Sequence, residues 1–169
     1  MRAVRLASVI FVLVTLQTTL MADLAIRGTC ADIVMLLPIA VGIVHGREEG
    51  AIAGFASGLV LDLVVHGTPA GFFALGYTLT GYIVGITHGT VLRAAWWIPV
   101  LTAVGGSVVG VTTLGVLAKM VGLEGYLNNH LIVVALVVAV VNGALVLPML
   151  RVVRWALPTA TGSGRLVLS

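Results

Sequence analysis

Long apolar runs separated by short polar hinges make up most of the chain. A helix that crosses a bilayer needs about 20 mostly apolar residues, within a range of about 17–25. The second and third runs are short, so tilted, kinked or partly re-entrant segments stay open for them, and five spans is the alternative count. The pattern predicts six spanning helices over residues 6–26, 31–46, 49–66, 69–89, 94–119 and 129–153.

The composition requires a bilayer as the solvent. Of 169 residues, 60% are hydrophobic and only 9% are charged, with a mean hydropathy of +1.19. Soluble domains carry roughly a quarter charged residues. We therefore expect an all-α integral membrane protein, with one six-helix domain over residues 1–156 and a short cytoplasmic tail over 157–169.

The basic residues are scattered singly between apolar runs, which is typical of topology signals and not of a nucleic-acid-binding surface. With six spans and a cytoplasmic N-terminus, only Arg27 and Lys119 fall outside. Both termini are therefore predicted to be cytoplasmic. The basic residues on the inside are Arg2, Arg5, Arg47, Arg93, Arg151, Arg154 and Arg165.

The N-terminal run resembles a signal peptide in having Arg2 and Arg5 ahead of an apolar stretch. The run over 6–26 exceeds the roughly 7–15 residues of a signal core, so we read it as the first spanning helix. The single cysteine, Cys30, excludes an intramolecular disulfide within this sequence.

Glycines recur every four positions in the third and fourth runs. Such small-xxx-small patterns let helix backbones approach closely in lipid. They indicate packing inside the bundle, with a docking face for a partner helix as the alternative. The glycines assigned to helix packing are Gly50, Gly54, Gly58, Gly67, Gly71, Gly81 and Gly85.

Asp62 is the most unusual residue, because it lies in an apolar run with no Lys or Arg within ten residues. A charged Asp at bilayer depth costs from a few kcal/mol upward, so it is expected to be paired or functional. It can cap or pin the backbone of the HGTP turn beyond it, pair with a basic residue of a partner protein, or bind a cationic or polar substrate. His66 continues the same four-residue spacing.

Asp32 and Pro38 belong to the second run. A carboxylate in the first turn of a helix is favoured by the helix dipole, which gives Asp32 a structural explanation. Pro38 is predicted to kink its helix. Topology brings Asp32, Asp62 and His66 to the outer side, where they form candidate polar anchors or partner contacts.

Catalytic motifs are absent from the sequence: it has no HExxH, no Walker A loop and no CxxC. The polar residues inside the spans are too few for a proton relay, Gln17 and Asn142 being the main ones beyond Asp62. We expect no enzymatic activity, no metal and no cofactor.

Residues 31–85 resemble the MreD family of bacterial rod-shape-determining proteins. The likeness begins with Asp32 and an apolar run, followed by a turn with acidic residues. A glycine ladder then ends in Leu-x-x-Asp at Asp62, followed by Gly67-x-x-x-Gly71 and a span with Tyr77 and Gly81. His66 is not part of the family pattern.

The resemblance implies a non-enzymatic scaffold of cell-wall elongation in the bacterial cell membrane. Its implied partners are MreC, a single-span protein, together with a RodA-type glycosyltransferase and a class B penicillin-binding protein, alongside the MreB filament. The family is similar in fold to the substrate-binding subunits of energy-coupling-factor vitamin transporters, which gives the alternative function. A vitamin pocket at the outer face would need stacking aromatics, for which Tyr77 and Tyr126 are candidates.

Overall fold

The computed structural model describes residues 2–23, 32–91, 97–123 and 130–158, and all regular structure in these ranges is helical. Expectations for Arg27, Cys30, Arg93, Tyr126 and the tail beyond residue 158 lie outside them. The helices are α1 (Arg2–Asp23), α2 (Leu36–His45), α3 (Arg47–Val64), α4 (Phe72–Gly85), α5 (His88–Val91), α6 (Ile98–Met120) and α7 (His130–Ala156).

Among the helices described, three contain stretches long and apolar enough to cross a membrane: Arg2–Thr19 in α1, Ile98–Met120 in α6 and Ile132–Ala156 in α7. Helices α2 and α4 are apolar but shorter. Large apolar side chains such as Phe11, Leu63 and Met120 are 70–78% exposed on the outside. Because a soluble monomer rarely exposes so much apolar surface, these features indicate a membrane protein.

Contacts between helix ends place the start of α1 and the ends of α2 and α7 at the same end of the bundle. The Arg5 guanidinium near the start of α1 donates to the carbonyl of Trp155 near the end of α7, at 3.3 Å. His45, the last residue of α2, places Nε2 2.7 Å from the Leu157 carbonyl. We call this end of the bundle the arginine end, defined by Arg2, Arg5, Arg47, Arg151 and Arg154.

Helix α2 forms the centre of the core. Every residue from Leu36 to Val44 is buried, and the helix packs against α3, α4, α6 and α7. A helix that is apolar all round is buried in its own protein or in lipid. At a rise of 1.5 Å per residue, its ten residues extend about 15 Å, half the hydrocarbon thickness. The apolar run over 31–46 therefore reflects burial in protein.

Pro38 is the third residue of α2, and this position corrects the predicted kink. The first-turn N–H groups of a helix have no partner within the helix, so a proline there removes no hydrogen bond. A kink also needs helical turns on both sides, and α2 has only two residues before Pro38. Among the described helices, the proline in a helix interior is Pro148 in α7.

Candidate functional site

The glycine ladder forms the contact between α3 and α4. A Cβ atom on Gly58 would lie 2.5 Å from the Phe73 carbonyl oxygen, and one on Gly50 would lie 2.6 Å from that of Gly81. A Cβ on Gly54 would overlap the Tyr77 carbonyl. The two backbones therefore touch along the whole ladder, which leaves this face unavailable to a partner helix.

Two glycines of α4 complete the same interface from the other side. A Cβ on Gly81 would overlap the Gly50 carbonyl, and one on Gly85 would overlap the backbone of Arg47. The contact thus runs from the first residue of α3 to its last turns. It fixes α3 and α4 as one antiparallel pair.

Gly67 and Gly71 do not pack helices, which corrects their assignment. A Cβ on either would have nothing within 4 Å. Their φ angles are +100° and +90°, in the left-handed region that side chains rarely adopt. They shape the turn between α3 and α4, where Gly71 is the residue immediately before the first turn of α4.

The Asp62 carboxylate binds the N-terminus of α4. Its Oδ1 accepts a hydrogen bond from the Phe73 amide at 3.0 Å, and its Oδ2 accepts one from the Ala74 amide at 3.0 Å. Gly71 has no side chain to cap these N–H groups, so a residue of α3 does so across the turn. The partly positive helix N-terminus also favours the charge. Of the three roles open to Asp62, the geometry supports backbone capping, with the bonds going to the start of α4 and not to the HGTP turn itself.

The Asp32 carboxylate joins the start of α2 to α4. Its Oδ1 accepts from the Met35 amide at 3.1 Å, and its Oδ2 accepts from the Tyr77 hydroxyl at 2.6 Å. Tyr77 is fully buried. Asp32 lies four residues before α2 and holds the turn that leads into it, so it acts by capping this turn and not in the first turn of the helix.

Helix α4 brings the two carboxylates together. Phe73 and Tyr77 are one helical turn apart, with ring centroids 5.8 Å from each other, and their groups bind Asp62 and Asp32 respectively. We call this region the carboxylate end, defined by Asp32, Asp62 and Tyr77. Each carboxylate oxygen accepts a hydrogen bond from the same chain, so the cluster is suited to holding helices in place.

Gln17 adds α1 to the carboxylate end. Its side chain is buried, and Oε1 accepts a hydrogen bond from the Ile33 amide at 2.9 Å. Sequence reasoning did not identify this contact or the Asp32–Tyr77 bond. A hydrogen-bond partner could have been expected for both residues, since a buried Tyr hydroxyl or Gln amide in an apolar helix needs one.

His66 lies apart from these contacts. Helix α3 ends at Val64, and Val65 has extended backbone angles. The four-residue spacing therefore does not carry from Asp62 to His66, which is exposed on the turn. Among the candidate anchors, His66 is the one whose position on the surface suits a contact with another molecule.

A second polar link lies in the middle of the bundle. Asn142 of α7 donates from Nδ2 to the Ser107 hydroxyl of α6 at 2.9 Å, and Ser107 donates to the Ala103 carbonyl at 2.8 Å. The Asn142 Oδ1 atom is buried without a hydrogen-bond partner. The described residues contain no group of three or more His, Cys, Asp or Glu placed to hold a metal ion.

Comparison of the chain with models of protein families, with curated proteins and with solved structures returns no match. In the part of the chain that the structure describes, the fold and the site define an all-helical protein with three candidate membrane spans and a short, buried central helix. Its polar cluster ties α1, α2, α3 and α4 together at one end.

Proposed function

We propose that the chain is a non-enzymatic membrane scaffold of the bacterial cell-wall elongation machinery. In this proposal it forms a six-helix bundle in the cell membrane, with both termini and the arginine end on the cytoplasmic side. It supports rod shape by binding an MreC-like single-span protein, and through it a RodA-type glycosyltransferase and a class B penicillin-binding protein.

One observation supports this proposal above the others. The residues that carry the MreD-like pattern are spread over residues 31–85, yet they meet in one structural unit made of α2, α3 and α4. Asp32 binds Tyr77, Asp62 caps α4, and Gly54 packs on the backbone of α4. The pattern therefore corresponds to a set of contacts that shape one part of a bundle.

The bonding of the carboxylates also suits a scaffold better than a ligand-binding subunit. Tyr77 was a candidate stacking residue of a vitamin pocket, but it is fully buried with its hydroxyl on Asp32. A ligand would have to break the Asp32–Tyr77 bond or the Asp62 cap to reach these groups. A partner protein, in contrast, can bind the outer surface of the bundle without disturbing either.

The test is affinity purification of the tagged full chain from native bacterial membranes in a mild detergent, followed by mass spectrometry of the proteins that co-purify. An unrelated multi-span protein with the same tag serves as the control. Specific recovery of a single-span cell-wall protein with synthase subunits supports the scaffold. Recovery of paired ATPases with a coupling subunit, or of no specific protein, refutes it.

A further inference from the structure

The arginine end carries positive charge that the described chain does not neutralise. Its acidic side chains in the described ranges are Glu48 and Glu49 of α3, against the five arginines that define this end. None of the described guanidinium groups forms an ion pair with a carboxylate. At the opposite end, the described basic residues are Lys119 and His66. Charge complementarity thus points to a negatively charged ligand at the arginine end.

The charge is concentrated where α1 meets α7. The Arg5 guanidinium lies 5.3 Å from the centre of the Trp155 ring, and Trp155 is 60% exposed. Arg151 precedes Trp155 by one helical turn and so shares its face of α7. Arg5 uses one of its five N–H donors on the Trp155 carbonyl, which leaves donors for a second acceptor.

Apolar surface continues from this corner along the same two helices. On α1, Val4 and Phe11 are each 70% exposed, and on α7, Leu147 and Val152 are about 40% exposed. Exposed Trp beside Arg is typical of the boundary between hydrocarbon and headgroups. A molecule bound here would therefore have an anionic group at the arginines and an apolar part along α1 and α7.

We propose that the corner formed by Arg5, Arg151, Arg154 and Trp155 binds the headgroup of an anionic phospholipid. Arginine suits a phosphate because its planar guanidinium offers paired donors. Because the described arginines form no ion pair with a carboxylate, the corner favours lipids with net negative charge over zwitterionic ones, which bring a positive ammonium group of their own. An acidic protein segment would lack the acyl chains that the adjoining apolar surface accommodates.

The experiment is native mass spectrometry of the purified full chain titrated with phosphatidylglycerol or with phosphatidylcholine. The double variant Arg151→Gln/Arg154→Gln is compared with Lys119→Gln, which removes one exposed positive charge at the opposite end. We expect phosphatidylglycerol to bind roughly five-fold more weakly for each arginine removed, since a basic residue near an anionic membrane surface contributes about 1 kcal/mol. Lys119→Gln should bind like the wild type, and phosphatidylcholine should bind weakly to all three.

The proposal is overturned if the double variant binds phosphatidylglycerol as well as the wild type, or if Lys119→Gln loses as much. Equal binding of the two lipids by the wild type would also overturn it. Should the glutamine variant fail to fold, the wild type and the charge-conserving Arg151→Lys/Arg154→Lys variant carry the test. Their phosphatidylglycerol binding should fall as salt rises from 0.05 to 0.5 M, roughly the range over which surface charges become screened, and salt-independent binding contradicts the proposal.

Discussion

Replacing Asp62 with Ala removes both acceptors from the N-terminus of α4. The Phe73 and Ala74 amides lose their hydrogen bonds to the carboxylate, each 3.0 Å long in the wild type. Gly71 has no side chain to replace them. Because the lost bonds hold the first turn of α4, the start of this helix should loosen first. Tyr77, which binds Asp32, lies one turn further along α4.

The expected cost follows from the two lost bonds. A hydrogen bond to a charged group contributes about 1.5–3 kcal/mol, and loss of a helix cap costs about 0.5–2 kcal/mol. Because Asp62 is only half-buried, we expect Asp62→Ala to lower the free energy of unfolding by about 2–4 kcal/mol. Asp62→Asn keeps one acceptor oxygen but turns an NH₂ group toward the second amide, so it should cost about half as much.

The measurement is unfolding in mixed dodecyl maltoside and SDS micelles, followed by far-UV circular dichroism. Leu63→Ala is the matched control, because Leu63 neighbours Asp62 in sequence but is 76% exposed. The order of stability should be wild type and Leu63→Ala, then Asp62→Asn, then Asp62→Ala. If Asp62→Ala unfolds at the same SDS fraction as Leu63→Ala, the two bonds from Asp62 to α4 contribute nothing to stability.

Three further substitutions test the remaining contacts by thermal unfolding in detergent. Gly54→Leu should abolish the folded state, because the side chain would overlap the Tyr77 carbonyl. The control Gly105→Leu should be tolerated, because a Cβ there has nothing within 4 Å. Equal stability of the two variants would contradict the close contact between α3 and α4. Tyr77→Phe leaves an Asp32 oxygen without its donor and should cost about 1–3 kcal/mol, and a neutral effect would show that solvent satisfies Asp32. Asn142→Leu removes a buried unpartnered Oδ1 along with one bond between helices, so stability should change by less than about 1 kcal/mol, and a loss above about 3 kcal/mol would show a larger polar network.

The helical class and the glycine packing faces could be predicted from periodicity. The run over 94–119 corresponds to α6 at Ile98–Met120, and the run over 129–153 to α7 at His130–Ala156. The four-residue glycine spacing indicated a packing face on each of α3 and α4, because glycines allow backbones to approach closely. The contact of these two faces with each other is a finding of the structure. Sequence spacing predicts which residues share one face of a helix, because that geometry is local to the helix.

The central position of α2 could not be predicted from hydropathy. An apolar run shows that a segment is shielded from water, but it does not distinguish protein from lipid as the surroundings. Nine consecutive buried residues from Leu36 to Val44 give the same apolar run whether protein or lipid surrounds them. The same limit applies to the carboxylates. Tyr77 is 45 residues from Asp32, and Phe73 is 11 residues from Asp62, so both pairings depend on how the helices fold back on each other.

Asp62 is both the cap of α4 and a candidate partner contact, so a partner-binding experiment on its variants must separate these two roles. Both of its oxygens bind the α4 backbone, so a variant that loses a partner can do so because α4 has moved. Loss of the partner in Asp62→Ala therefore identifies a contact only if Asp62→Asn, at intermediate stability, loses it to the same extent. His66 gives the cleaner comparison, since it is exposed on the adjoining turn and outside the cap. If His66→Ala weakens partner binding while leaving the unfolding transition unchanged, the α3–α4 turn itself is the docking surface, and Asp62 serves it by holding that turn in place.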